Sequence, residues 1–142
     1  MGNVISSSPE APYLARHVGL KSGVPIASTA LTINRLCGSG FESIIQGSML
    51  IKGGDANVVV CGGTENMSAA PLVLDGNDAR WGVSLGSGLK MRDTLWDGLT
   101  DLYAGTPMGI TAENLATKYG ITRYVSDDSA QKIHFWMIRK IM

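Results

Sequence analysis

The stretch that decides the fold is Ala30-Leu-Thr-Ile-Asn-Arg-Leu-Cys-Gly-Ser-Gly-Phe41, which a largely apolar run continues to Ile51. Its first residues favour extended backbone, while the glycines on either side of the serine permit a tight reversal. From Phe41 onward, apolar residues recur at helical spacing until Gly53-Gly54 ends the run. The stretch therefore predicts a short strand, a turn that carries Cys37, and a helix.

The predicted helix is apolar around most of its girth, and its only charged residues are Glu42 and Lys52, one near each end. A helix of this kind is usually buried. At its N-terminus Cys37 lies at the positive end of the helix dipole, which favours the nucleophilic thiolate form. The opposing interpretation is a small buried hydrophobic residue, since free cysteine is among the most buried residue types. Spacing alone leaves both interpretations open.

A second apolar run, Ala56 to Cys61, follows the glycine turn. A run without polar alternation is typical of a parallel strand covered on both faces. The order strand, helix, strand from Ala30 to Cys61 predicts a right-handed crossover unit, and with it an α/β fold. Because no helix follows Cys61 at once, we interpret that cysteine as structural.

The rest of the chain carries weaker signals. Residues 2–5 have no predicted partner strand, and His17 is predicted to face solvent on a helix. The segment from Pro71 to Gly105 is irregular, as a functional loop or cap would be. Four further helices are predicted. The first runs from a cap at Ser6-Ser7-Ser8-Pro9 to Gly19, and the second lies within Asp93–Tyr103. The third runs from Thr106-Pro107 to Gly120, and the fourth begins at a cap formed by Ser126-Asp127-Asp128.

Composition excludes several classes of function. The chain has 142 residues, is 44% hydrophobic, and balances 12 basic against 12 acidic residues, so it has no electrostatic footprint for nucleic acid or an anionic membrane. Two cysteines make neither a disulfide framework nor a metal site, which favours a reducing, intracellular compartment. A cysteine nucleophile normally needs a base, usually histidine, and His17 and His134 lie in no motif. The residues alone thus predict a nucleophile without a visible partner.

Four segments resemble motifs of the thiolase family, three of them in family order and at family spacing. The three are Asn34-Arg-Leu-Cys-Gly-Ser-Gly40, Cys61-Gly-Gly-Thr-Glu-Asn-Met-Ser68 and Met108-Gly-Ile-Thr-Ala-Glu-Asn-Leu115. The fourth, Asp93-Thr-Leu-Trp-Asp-Gly-Leu-Thr-Asp101, is similar to the 3-ketoacyl-CoA branch of mitochondrial β-oxidation. The resemblance covers about Gly2 to Thr122.

The resemblance implies an α/β, thiolase-like layered fold in which the helix after Cys37 is central. It divides the chain into a partial N-terminal domain (1–70), a loop-domain segment with the following helix (71–122), and a tail that departs from the family (123–142). Cys37 would be acylated by 3-ketoacyl-CoA and deacylated by CoA, or would run the reverse Claisen condensation. Its backbone N–H would help to form an oxyanion hole, and Met108 would line the acyl pocket.

The same resemblance implies CoA and acyl-CoA as substrates, no cofactor, no metal, and a homo-oligomeric parent (dimer or tetramer). It also implies a mitochondrial location; without the resemblance, the prediction is a cytoplasmic one. Family members are much longer, and their Gly-His-Pro histidine, second catalytic cysteine and Asn-Glu-Ala-Phe segment have no counterpart in this sequence. One alternative is therefore a truncated, non-catalytic fragment that associates with full-length subunits. Another, a β-ketoacyl synthase, is disfavoured by the Cys-Gly-Ser-Gly and Met-Gly-Ile-Thr-Ala-Glu-Asn motifs.

Overall fold

The computed structural model describes residues 1–141, with side chains through Met137. The helices are α1 Leu14–Lys21, α2 Ser39–Gly53, α3 Gly76–Trp81, α4 Thr94–Leu99, α5 Met108–Tyr119 and α6 Arg123–Ile141. The strands are β1 Leu72–Leu74, β2 Met91–Asp93, β3 Thr100–Asp101 and β4 Thr106–Pro107. The chain divides into two compact units, Met1–Gly98 and Leu99–Met142.

The opening residues lie at the centre of the first unit. Gly2 forms parallel bridges to both Ile33 and Gly63. Asn3 N donates to the Ile33 carbonyl at 3.0 Å, and Thr64 N donates to the Gly2 carbonyl at 3.0 Å. The prediction that residues 2–5 lack a partner was therefore wrong. The two extended segments on either side of α2 are not direct neighbours, because the N-terminal segment lies between them.

Helix α2 ends where the sequence predicted. Gly54 follows it with φ 81°, a left-handed conformation that suits glycine, and Asp55 N bonds back to the Leu50 carbonyl at 3.0 Å. Its buried residues are small and spaced by four: Ser39, Ser43 and Gly47. These three residues form the face of α2 that is covered within this unit.

The prediction that α2 is buried was wrong for this chain. Phe41 is 73% exposed and Ile44 is 59% exposed, because the first unit covers only the small-residue face of the helix. The predicted strand from Ala56 to Cys61 belongs to no ladder, and Val58 and Val60 are exposed. No described element covers the face of this segment that carries Val58 and Val60. The segment is therefore covered on one face only, whereas the sequence predicted a strand covered on both.

The first helix begins later than predicted. A 3-10 turn, Ala11–Tyr13, precedes α1, and neither N-cap residue makes a side-chain capping bond. The serines before Pro9 therefore do not start an α-helix. Ala11 and Ala15 are buried, and Ala15 N donates to Thr32 Oγ1 at 3.1 Å, which fixes α1 against the segment that leads to Cys37.

The predicted irregular segment contains an antiparallel hairpin. Strand β1 pairs with β2, with Leu72 opposite Asp93 and Leu74 opposite Met91. The helix predicted within Asp93–Tyr103 is α4, which stops at Leu99. The Asp93 carboxylate starts it by accepting a hydrogen bond from Leu95 N at 2.9 Å.

In the second unit, β3 pairs with β4 and α5 follows immediately. Gly120, with φ 64°, ends α5 as predicted, and Pro107 is its N-cap residue rather than its first residue. Helix α6 begins at Arg123, so the prediction that residues 126–128 cap it was wrong: Asp127 accepts from Arg123 inside the helix at 2.9 Å. Met142 lies outside the described residues. None of the described helices combines the length and the apolar character needed to cross a bilayer.

Candidate functional site

Cys37 lies in the turn that leads into α2. It immediately precedes the N-cap residue Gly38, and it is exposed to solvent. The preceding residue, Leu36, has φ 47°, and it is the only non-glycine residue with positive φ in the described part of the chain. A leucine in this left-handed region is uncommon, and such residues concentrate at functional sites.

Side chains bind the backbone of the turn on both sides of Cys37. Asn34 Oδ1 accepts from Leu36 N at 3.0 Å. Ser39 Oγ donates to the Leu36 carbonyl at 2.6 Å and accepts from Arg35 N at 2.9 Å. Ser39 is only 5% exposed, so its two bonds are partly shielded from water, whereas the Asn34 bond is exposed. The turn is thus fixed by the polar residues of its own motif.

The charges beside the turn are paired. Arg35 Nη1 lies 2.8 Å from Glu42 Oε2, and Gln46 Nε2 donates to Glu42 Oε1 at 2.8 Å. The hydrogen bond from Gln46, followed by the bond and the charge of Arg35, lowers the pKa of the Glu42 carboxyl; partial burial opposes this shift. Glu42 lies in the first turn of α2 and therefore offsets both the positive charge of Arg35 and the positive end of the helix dipole.

Glu65 in the second motif connects the opening segment to the site. Its carboxylate accepts from Val4 N at 2.8 Å, from Ile5 N at 3.1 Å and from the Asn3 amide at 3.1 Å. The sequence placed this motif at a strand end but gave no signal that its carboxylate holds the opening residues. Glu65 thereby fixes the segment that bridges to the residues before Cys37.

Cys61 packs against α2. Its Sγ donates to the Ser43 carbonyl at 3.1 Å, and a Cβ at Gly47 would lie 2.6 Å from that sulfur. These contacts support the structural interpretation of Cys61.

The two histidines lie in helices α1 and α6, outside the turn that carries Cys37. His17 is 38% exposed, half-buried rather than fully solvent-facing, and stacks on Tyr13 with ring centroids 5.6 Å apart. It lines a cleft of about 280 Å³ with Glu10, and the residues that line this cleft do not include Cys37. His134 lies in the second unit, edge-on to Phe135. Among described residues, no group of three or more His, Cys, Asp or Glu side chains is placed to hold a metal ion.

Met108, the other residue singled out from the sequence, is the first residue of α5 in the second unit and is 40% exposed. Its side chain therefore presents apolar surface at the start of a helix, which suits a pocket wall and helix-start packing equally well.

Comparison with known proteins decides the family. Residues 1–135 match the family described as "Thiolase, N-terminal domain". The chain belongs to the thiolase family.

Its relatives agree on this family. A mouse mitochondrial 3-ketoacyl-CoA thiolase is 57% identical over 87% of this chain, and an acetyl-CoA acetyltransferase of Cupriavidus necator is 45% identical over 92%. The crystal structure of human mitochondrial 3-ketoacyl-CoA thiolase in complex with CoA is 53% identical over 93% of this chain, with a TM-score of 0.86. This thiolase chain therefore has the predicted α/β fold, and it spans about a third of the length of these relatives: 30% of the mouse protein, 32% of the Cupriavidus protein and 33% of the human chain.

Proposed function

We propose that the protein carrying this chain is a 3-ketoacyl-CoA thiolase and that Cys37 is its nucleophile. The observation that carries the proposal is an exposed cysteine at the N-terminus of α2, within the Asn34–Gly40 motif of a thiolase-family chain. The printed names of the relatives support 3-ketoacyl-CoA as the substrate class, and acetyl-CoA acetyltransferases of the same family support the reverse condensation as well.

In the proposed reaction the Cys37 thiolate adds to the 3-keto carbon of the substrate. The bond between carbons 2 and 3 then breaks, and the departing acetyl-CoA carbanion takes up a proton. A thioester remains on Sγ, and the thiolate of free CoA displaces it, which releases an acyl-CoA shortened by two carbons and restores the cysteine. The backbone N–H of Cys37 would help to stabilise the oxyanion that forms at the carbonyl.

Further assignments rest on family membership. Met108 would line the acyl pocket, and residues 71–105 would belong to the loop domain that covers CoA. CoA and acyl-CoA serve as substrates without a separate cofactor. Mitochondrial location is supported by the names of the mammalian relatives, and a homo-oligomeric state follows from the family resemblance.

Acyl transfer to Cys37 tests this proposal directly. The complete protein that carries this chain is incubated with acetyl-CoA and digested, and its peptides are analysed by mass spectrometry. We expect one acetyl group on the Cys37 peptide, none on the Cys61 peptide, and none after Cys37→Ser substitution. An unmodified Cys37 peptide, or equal acetylation of both cysteines, contradicts the proposal.

The exposed face of α2 supports a second candidate, a non-catalytic chain that associates with full-length thiolase subunits. Phe41, Ile44 and Met49 are all more than half exposed, and such an apolar face favours association. Size-exclusion chromatography with a full-length thiolase tests this candidate. Co-elution that is lost on Phe41→Ser/Ile44→Ser substitution supports it, while separate elution of a soluble monomer contradicts it.

A further inference from the structure

The conformation of Leu36 needs external support. A left-handed conformation is disfavoured by about tenfold for a residue with a Cβ, yet Leu36 adopts φ 47°. The backbone dihedrals of Leu36 set the direction of the peptide bond that joins it to Cys37. That peptide carries the N–H of Cys37 and leads directly to the Cα that bears its thiol. Whatever holds Leu36 in this region therefore also sets the orientation of the thiol.

Two side chains supply this support. Asn34 Oδ1 accepts from Leu36 N at 3.0 Å, while the other end of the same amide donates to the Val4 carbonyl at 3.3 Å. Asn34 thus links the turn to the segment that Glu65 fixes. In the next peptide unit, which joins Leu36 to Cys37, the buried Ser39 hydroxyl donates to the Leu36 carbonyl at 2.6 Å.

We propose that Asn34 and Ser39 are positioning residues, which hold Leu36 in its left-handed conformation and so orient Cys37 for acyl transfer. The proposal rests on Cys37 being the nucleophile of the proposed function. It goes further by assigning the orientation of the thiol to two residues that do not themselves touch the reacting atoms. Loss of the Asn34 side chain removes the acceptor of Leu36 N, and loss of the Ser39 hydroxyl leaves the Leu36 carbonyl with only the bond from Ser39 N at 3.0 Å. Either loss weakens the hold on Leu36 and lowers the fraction of molecules in which Cys37 is correctly oriented.

The test compares two reactions at the same sulfur. Acyl transfer from acetyl-CoA requires a defined approach of Sγ to the carbonyl, whereas alkylation by iodoacetamide needs only an exposed thiolate. Loss of one supporting hydrogen bond is expected to slow acylation of Cys37 by about fivefold in Asn34→Ala and in Ser39→Ala. Alkylation of Cys37 is expected to change by less than about twofold. General unfolding would instead expose both cysteines and would not separate the two rates.

Substitution of Leu36 itself provides the sharper control. Glycine adopts positive φ without the Cβ penalty, so Asn34→Ala is expected to cost about twofold or less in the Leu36→Gly background. Asn57→Ala is the matched control, since Asn57 is exposed and lies outside the turn; its acylation rate is expected to stay within about twofold of the parent.

The outcomes separate the two proposals. All rates are measured in the complete protein that carries this chain. If that parent protein is acylated on Cys37 but Asn34→Ala and Ser39→Ala react at the parent rate, the positioning proposal is overturned and the nucleophile assignment stands. If the parent is not acylated, both are overturned. If Asn34→Ala fails to fold by circular dichroism, Ser39→Ala, which retains its Cβ, decides the question.

Discussion

The contact between α2 and the extended segment at Cys61 has a testable consequence at Gly47. An alanine Cβ there would lie 2.6 Å from Cys61 Sγ and 3.1 Å from Val59 Cγ1. The sulfur cannot retreat freely, because it donates to the Ser43 carbonyl at 3.1 Å. Gly47→Ala therefore forces either the sulfur or the helix to move.

Two opposing terms set the magnitude. Alanine gains about 1 kcal/mol over glycine inside a helix, while overpacking of a tight contact costs about 1–3 kcal/mol. Gly47→Ala is thus expected to lower the free energy of unfolding by up to about 2 kcal/mol. Gly40→Ala is the matched control in the same helix, since nothing lies within 4 Å of its added Cβ. The two variants are expected to differ by about 1–3 kcal/mol, because only the Cβ at position 47 meets a close neighbour.

Urea unfolding followed by circular dichroism measures this difference. Adding Cys61→Ala to Gly47→Ala removes the atom closest to the new Cβ, so the two substitutions are expected to couple favourably, with a smaller combined loss than the sum of the single losses. If Gly47→Ala is as stable as Gly40→Ala, the close approach does not constrain the helix and the reasoning is refuted.

Three further predictions concern the same unit. Glu65→Gln is expected to lower the free energy of unfolding by about 1–3 kcal/mol, because one amide cannot replace both acceptor oxygens; unchanged urea stability would contradict the role of this carboxylate. The Glu42 carboxyl is expected to titrate below the midpoint of a free glutamate, so the stability it contributes is present above the unfolded-state pKa and is lost as pH falls through the folded value. Carbon NMR titration checks this, and Gln46→Ala should raise the midpoint. Gly2→Ala would place a Cβ 2.7 Å from the Ser39 carbonyl carbon and is expected to cost about 1–3 kcal/mol; a thermal midpoint equal to the parent's would argue against it.

Local sequence signals predicted helix ends well. Gly54 and Gly120 both adopt the left-handed conformation that follows a helix, and both were identified from sequence. The central position of Gly2 could not be predicted, because a short opening segment carries no periodicity and its partners lie 31 and 61 residues away in the printed sequence. The burial of α2 was mispredicted because an apolar pattern shows only that a helix needs a packing partner. It does not show whether the same chain supplies that partner.

The candidate site was only partly visible in the sequence. The motif identified Cys37, and the glycines around it indicated a turn. The residue that adopts positive φ, however, is Leu36, for which no propensity rule would predict that conformation. The hydrogen bonds of Asn34 and Ser39 follow from that unusual backbone, so they could be assigned only once the turn was seen.

The arrangement of the segment at Gly2 also bears on synthesis. Residues 2–5 leave the ribosome well before residues 62–65, to which they bond across about 60 positions of the chain. At ordinary elongation rates, about 3–12 s pass between the synthesis of this segment and that of residues 62–65. During that interval its backbone groups on that side have no partner strand. Nascent chains of this protein are therefore expected to need protection from aggregation until the Gly62–Glu65 segment has emerged.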